Sequence, residues 1–469
     1  MIIEQLYTGC LAEAAYYIEN NGEVAIIDPL RESSPYIEKA AENNAKIKYI
    51  FETHFHADFV SGHVDLAKKT GAQIIYGPNA MTDYDITVAE DGQIFKLGNI
   101  NLKLIHTPGH TLESSSILLR DEKGNDHAIF TGDALFIGDV GRPDLAIKSD
   151  LTQEDLAGML FDTLRNKIMP LGDDVLVYPN HGAGSSCGKN MSDETFDSLG
   201  HQKKTNYALR ADMTREEFVA EVTDGILPPP QYFPKNARLN KSGYSSFDDV
   251  LERGNTAFDV NTFIAVAEAE EALVVDTRNE NDYSKEHIPG SIFMGLNGKM
   301  AMWVGALITD INQPIVFIAD EGMEKEVITR LARVGYDNSL GYLKGGMEAW
   351  KAAGKETDKI ESVTPEELKN LLEKTEINVL DVRKISEFKA EHVADAKNVP
   401  LDYINSVMDQ VDANKTYYTH CKGGYRSVIF NSILKARGRH NLIDVKGGID
   451  AMIEAGITMT DYICPSTLK

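Results

Sequence analysis

The chain has 469 residues, 42% of them hydrophobic and 25% charged, with 72 acidic side chains against 47 basic ones and a formal net charge of −25. These are the proportions of a soluble globular protein, and at about 150 residues per domain the length calls for roughly three domains. No apolar run approaches the ~20 residues of a membrane span, and no Lys/Arg block offers the phosphate neutralisation on which nucleic-acid affinity depends.

The opening Met1-Ile2-Ile3-Glu4-Gln5-Leu6 reads as a strand, without the basic start and apolar stretch of an export signal. Four cysteines, Cys10, Cys187, Cys421 and Cys464, are too few and too scattered for a disulfide framework and fit a reducing cytoplasm. Up to about residue 235, short apolar strands end in Gly- or Pro-marked loops. Val24–Asp28 stops at Pro29, and Lys48–Thr53 leads into His54-Phe55-His56-Ala57-Asp58-Phe59. Asn101–His106 ends at Thr107-Pro108-Gly109-His110, Asp126–Thr131 at Gly132-Asp133, and Val175–Tyr178 at Pro179-Asn180-His181-Gly182. Loops at strand ends are where a sheet scaffold presents functional side chains. His54, His56, Asp58, His110, Asp133 and His181 are therefore candidate metal ligands, and 1–235 is expected to be one domain.

A stretch rich in Pro, Gly, Ser, Asn and Lys follows Leu227-Pro228-Pro229-Pro230, and 236–255 is expected to be a linker. Beyond it lies a duplication. Asp276 in Leu273–Arg278 matches Asp381 in Val379–Arg383, and His287 matches His392, both at a spacing of 105; Lys344-Gly345-Gly346 matches Lys446-Gly447-Gly448 at 102. Units of about 100 residues exceed the 20–50 of solenoid repeats and read as two α/β domains, 256–356 and 357–469.

In the second unit, His420-Cys421-Lys422-Gly423-Gly424-Tyr425-Arg426-Ser427 separates the strand Thr416–Thr419 from a helical run. A cysteine between a strand end and a helix N-terminus sits among convergent backbone N–H groups that stabilise a thiolate. Arg426 adds positive charge for an anionic sulfur substrate. The four-residue gap between Cys421 and Arg426 resembles a rhodanese loop rather than the five-residue gap of a phosphatase. Cys421 and Arg426 are the expected catalytic pair, with Lys422, Gly423, Gly424 and Tyr425 lining the substrate. The first unit offers Asp320-Glu321-Gly322-Met323-Glu324 at the same place, with an aspartate expected at the nucleophile position. It is expected to keep the fold without the chemistry, as a spacer or a docking or dimer surface.

The stretch Thr53–Phe59 resembles the H-x-H-x-D-H signature of the metallo-β-lactamase superfamily, with Phe59 replacing the last histidine. In that pattern a dinuclear site would use His54, His56 and His110 on one ion, and Asp58, the missing histidine and His181 on the other, bridged by Asp133. Phe59 tilts the site toward one metal held by His54, His110 and Asp133, a ligand set suited to non-haem Fe(II) with open positions. The same imidazoles also suit a hydrolytic zinc. Together with H-T-P-G-H-T, F-T-G-D-A-L-F-I-G-D-V-G-R-P-D-L and H-G-A-G-S-S-C-G-K, the motif resembles metallo-β-lactamase-fold persulfide dioxygenases of the bacterial branch fused to rhodanese domains.

That resemblance implies an αββα sandwich followed by two α/β rhodanese-like domains with central parallel sheets. It implies one Fe(II) per chain, with His56, Asp58 and His181 behind the ligands, orienting them or the substrate. Asp139, Arg142, Asp144 and Cys187 would lie near the thiol-binding mouth. The expected substrates are a low-molecular-weight thiol persulfide, O₂ and sulfite or thiosulfate, in a cytoplasmic homodimer or homotetramer without nucleic-acid or membrane partners. The competing expectation is a zinc-dependent glutathione-thioester hydrolase fused to a rhodanese. A third is a non-enzymatic sulfur carrier or adaptor.

Overall fold

The computed structural model describes residues 1–146, 151–189 and 191–463, which leaves Cys464 outside the described residues. It divides into two compact units, Met1–Phe247 with Ala332–Gly335, and Asp248–Leu331 with Tyr336–Lys469.

The first unit is built on two six-stranded sheets. One runs in the spatial order Ile2–Thr8, Glu13–Asn20, Glu23–Ile27, Lys46–Phe51, Gln73–Tyr76, Thr87–Val88. The other runs Asp197–Ser198, Leu176–Pro179, Asp126–Gly132, Ser115–Arg120, Ile100–His106, Ile94–Leu97. Side chains alternate across each strand, so both faces of each sheet find apolar cover. Tyr16, Ile18, Phe51 and Ile75 meet Leu102, Leu104, Ile117 and Phe130 between the sheets. On the outer side, Tyr17, Ile26 and Ile50 pack with Tyr36 and Leu66 of the helices Ser34–Glu42 and His63–Thr70. Leu118, Ile129 and Val177 pack likewise with Leu160 and Phe218 of the helices Gln153–Thr163 and Arg215–Thr223. The layer order is αββα, as expected.

Residues 236–255, expected as a linker, are largely helical, in Phe233–Ser242 and Phe247–Gly254. The first of these helices belongs to the first unit. Its Asn240 is fully buried and donates through Nδ2 to the carbonyls of His56 and Phe59, both at 2.8 Å, while its Oδ1 accepts from Ser61 N at 3.0 Å. Polar composition reads as linker, but one buried amide bonded three times to a functional loop makes the segment structural.

The second unit contains the duplication as two five-stranded, all-parallel sheets of identical order. The first is Ala257–Phe258, Ser339–Leu343, Ile315–Ile318, Leu273–Asp276, Ile292–Phe293. The second is Ser362–Val363, Leu442–Val445, Tyr417–His420, Asn378–Asp381, Lys397–Asn398. The repeated D-x-R is a structural clamp. Arg278 Nη2 donates to Asp276 at 2.7 Å and to the Glu286 carbonyl at 2.8 Å, and Arg383 Nη2 does the same with Asp381 at 2.6 Å and Glu391 at 2.7 Å. The repeated histidine stacks on an aromatic ring, His287 on Tyr283 and His392 on Phe388. No helix among the described residues is long and apolar enough to cross a membrane.

Candidate metal centre and cysteine loop

Four strand ends of the first unit bring His54, His110, Asp133 and His181 together, all of them buried. Potential ligand atoms of His54, His110 and Asp133 all lie within 4.8 Å of one another. Hydrogen bonds on the far side of each ring set which nitrogen faces inward. Asp28 Oδ2 takes the hydroxyl proton of Thr53 at 2.9 Å, so Thr53 Oγ1 accepts from His54 Nδ1, also at 2.9 Å. His110 Nδ1 donates to the Arg142 carbonyl at 2.8 Å, and His181 Nδ1 to the Ala12 carbonyl at 3.1 Å. A neutral imidazole that donates from Nδ1 carries its lone pair on Nε2. Burial, and then the neighbouring His56, His110 and His181, hold His54 well below the usual imidazole pKa, so this ring is neutral.

The three Nε2 atoms converge on Asp133. His54 and His110 Nε2 lie 3.8 and 3.3 Å from Asp133 Oδ2, and His181 Nε2 lies 3.5 Å from Oδ1. Both Asp133 oxygens are buried without a hydrogen-bond partner. Orphaned buried carboxylate oxygens are costly. Separations of this size suit the edges of a coordination polyhedron, about 3.4 Å for a tetrahedron with ligands at about 2.1 Å. The residues present fit a bound cation.

His56 stands apart. Its Nε2 pairs with Asp28 Oδ1 at 2.9 Å and lies 3.5 Å from Glu52 Oε2, and its ring packs 4.4 Å from that of the fully buried Phe59. Asp28, unassigned by the sequence reading, holds the motif together. It also accepts from Thr53 N at 2.7 Å and from Asn180 Nδ2 at 2.6 Å, and so ties the first histidine loop to the last. Its only signal in sequence is an acid at a strand end before Pro29.

Asp58, His181 and Cys187 form a neighbouring cluster, with ligand atoms within 4.8 Å of one another and His181 Nε2 3.4 Å from Asp58 Oδ2. Both Asp58 oxygens and His181 Nε2 lack partners. Burial, then Asp58 and Asp133, push the Cys187 thiol well up. Burial alone would lower His181, yet Asp133 and Asp58 outweigh it and raise the imidazole.

The G-D-V-G-R segment buttresses the site. A Cβ on Gly141 would fall 2.0 Å from the Asp133 carbonyl oxygen and 3.0 Å from His110 Nδ1, so only glycine fits there. The Arg142 guanidinium is bidentate to Asp144, at 2.6 and 2.7 Å, and also donates to the carbonyls of Ser186 and Leu227. Asp139 accepts from Val140 N, Tyr207 Oη and Lys189 N. The side chains of Asp139, Arg142 and Asp144 are thus engaged within the loops around the site.

In the second repeat, Cys421 follows the strand Tyr417–His420 and is buried. Its Sγ accepts from Gly424 N at 3.1 Å and lies 3.7 Å from Ser427 Oγ. Lys422 and Gly423 are exposed, and Tyr425 opens the helix Tyr425–Ala436. Arg426 is bidentate to Glu387 at 2.6 and 2.8 Å, a pairing that outweighs burial and holds Glu387 below the usual carboxylate range. The K-G-G motif forms the floor of the loop. Ile449 N donates to the Cys421 carbonyl at 2.8 Å, and a Cβ on Gly448 would meet the Lys422 carbonyl oxygen at 2.3 Å. Pairing register puts Asp381 opposite His420 and Asp276 opposite Ile318. The residue matching Cys421 in the first repeat is therefore Ala319, one before the expected Asp320.

The metallo-beta-lactamase superfamily model matches residues 8–181, and the rhodanese-like domain model matches 260–353 and 364–455. The human mitochondrial persulfide dioxygenase ETHE1 is 30% identical over 212 residues, covering 45% of this chain and 74% of that protein. The probable hydroxyacylglutathione hydrolase glo2 of Schizosaccharomyces pombe is 33% identical over 197 residues, covering 41% and 72%. The crystal structure of a metallo-beta-lactamase from Staphylococcus aureus subsp. aureus COL superposes with a TM-score of 0.63 at 31% identity, covering 73% of this chain and 98% of that one. The chain belongs to the metallo-β-lactamase superfamily, its N-terminal domain homologous to ETHE1 and followed by two rhodanese-like domains.

Proposed function

We propose that the chain is a persulfide dioxygenase joined to a thiosulfate-forming sulfurtransferase. The observation that carries this reading is the asymmetry of the metal pocket. His54, His110 and Asp133 bring ligand atoms within 4.8 Å of one another, while His56 commits its Nε2 to Asp28 and Phe59 offers no lone pair. Two imidazoles and a carboxylate would hold one Fe(II), which when bound supplies the means for dioxygen to react with sulfur. Thr53 and Arg142 hold His54 and His110 in the tautomer with a bare Nε2. The net reaction takes R–S–SH, O₂ and one water to R–SH, sulfite and two protons. Cytoplasmic location and a dimeric or tetrameric assembly belong to the same proposal.

At the second site the Cys421 thiolate attacks the sulfane sulfur of another persulfide. The S–S bond to the carrier breaks, the carrier thiolate leaves, and Cys421 keeps the sulfane sulfur. Sulfite then attacks that outer sulfur, thiosulfate departs, and the Cys421 thiolate is restored. Gly424 N stabilises the anionic sulfur before and after.

Asp133→Ala is expected to abolish metal binding and persulfide-dependent O₂ uptake while sparing sulfur exchange between thiosulfate and sulfite. Cys421→Ser is expected to leave O₂ uptake intact and let sulfite accumulate. An oxygen electrode with ion chromatography of sulfite and thiosulfate checks both; enzymatic thiosulfate formation by Cys421→Ser would sink the second assignment.

One observation favours a second reading. Asp58, His181 and Cys187 could receive another cation, as a zinc thioester hydrolase of the hydroxyacylglutathione type would require. Two zinc ions per chain, thioester cleavage and no O₂ consumption would establish it.

A further inference from the structure

The cysteine-less repeat is fastened to the reactive loop of its twin. Tyr425, one residue after the N–H that binds Cys421 Sγ, points its ring into the first repeat. Its hydroxyl donates to the Gly295 carbonyl at 2.6 Å, and its ring meets Phe293 edge-on with centroids 5.3 Å apart. Gly298 borders the other side, where a Cβ would lie 2.4 Å from Tyr425 Cζ. Seven residues along the same helix, Ser432 Oγ accepts from Phe293 N at 3.0 Å. Residues seven apart share a helix face, so the segment 293–298 holds this helix at its first turn and two turns on.

The first repeat in turn stiffens that segment. Arg330 Nη1 donates to the Leu296 carbonyl at 2.6 Å, Asn297 Nδ2 to Glu280 at 2.7 Å, and Leu296 N to the Thr277 carbonyl at 3.0 Å. The opposite end of the chain of contacts is Gly424, with φ +110° and an N–H directed at Sγ. Tyr425 is bonded directly to Gly424, so a displaced Tyr425 shifts the Gly424 Cα and with it the N–H that Gly424 carries.

We propose that the cysteine-less repeat is a positioning element for the nucleophile: its segment 293–298 clamps Tyr425 and so fixes the helix start and the Gly424 N–H that receives the sulfur anion. This deepens the reading of Cys421 as sulfur acceptor and rests on it. Tyr425 is a positioning residue, acting through Gly424. The repeat keeps its fold without its own cysteine because that fold is half of the clamp.

The test uses the full chain with Tyr425→Phe, which deletes only the hydroxyl, and Gly298→Ala, which puts a methyl where the ring lies. Two quantities are read: the rate of Cys421 alkylation by iodoacetamide at pH 7, followed on its own peptide by mass spectrometry, and kcat and KM for sulfur transfer from thiosulfate to cyanide. Loss of a well-aimed N–H bond to an anionic sulfur is expected to slow alkylation and kcat about tenfold in Gly298→Ala, less in Tyr425→Phe, with KM little changed. A folded Gly298→Ala protein with wild-type alkylation and kcat overturns the proposal, as does a lowered melting temperature with unchanged alkylation. If Gly298→Ala does not fold, Tyr425→Phe decides by the same two quantities. If the wild type shows no Cys421-dependent transfer yet Gly298→Ala still slows alkylation, the clamp stands and the sulfurtransferase reading falls.

Discussion

Asp28 carries more of the metal pocket than its place in the chain announces. Four donors converge on its two oxygens: Thr53 N, Thr53 Oγ1, His56 Nε2 and Asn180 Nδ2. Through Thr53 it sets the His54 tautomer, and through Asn180 it fixes the neighbour of His181. Partners of this kind typically alter metal affinity by roughly 10–100-fold when removed. Asp28→Ala is therefore expected to weaken metal binding by about that factor while leaving all three proposed ligands in place, as read by chelator competition with metal analysis. His54, His110 and Asp133 were legible in sequence because each lies in a loop motif following an apolar strand. Asp28 was not, because its role comes from contacts 25 and 152 residues away in the chain. The guanidinium of Arg142, expected near substrate, is taken up by Asp144 and two carbonyls, and no spacing rule could have told one use from the other.

At the scale of elements, strands flanked by Gly or Pro were readable to within a few residues, as Val24–Asp28 against Glu23–Ile27 and Asp126–Thr131 against Asp126–Gly132 show. Glu13–Asn20 escaped notice. It is buried along almost its whole length, with Tyr16 and Ile18 facing the inter-sheet core and Tyr17 the helices, so its sequence shows no alternation. The strand Leu442–Val445 carries a second unannounced feature, the buried carboxyl of Asp444. Burial pushes it up to about 7 from an ordinary value of 3.8, against the lowering effects of Ser427 and Lys446. Between these two values the folded chain holds a proton that the unfolded chain has released, so stability falls as pH rises through that window. Calorimetry at pH 5.5 and pH 8 is expected to show a loss of stability on going to the higher pH in the wild type and a smaller loss in Asp444→Asn. Equal losses would mean that another group sets the slope.

For the whole molecule, the duplication was legible because D-x-R, the stacked histidine and K-G-G recur at nearly constant spacing, and each proves to be a packing device rather than a reacting group. Carrying both sites on one polypeptide sets their stoichiometry at one to one, and under the proposed function the tether joins sulfite formation to its consumption. An equimolar mixture of Asp133→Ala and Cys421→Ser is expected to make thiosulfate only after a lag that shortens with protein concentration, whereas the wild type shows none. Stopped aliquots analysed by ion chromatography measure that lag; identical time courses would show that sulfite equilibrates with solvent in both cases.

Asn240 bears on how this polypeptide can be dissected. A fragment ending at residue 235, where composition suggests a natural border, would strand the carbonyls of His56 and Phe59 and the amide of Ser61 without their shared partner. The histidine turn would lose its backing and with it the shape on which chelation depends. Excised pieces of the first unit should extend through Phe247, and cleavage by proteases between 235 and 247 should extinguish the proposed oxidation even when every proposed ligand survives the cut.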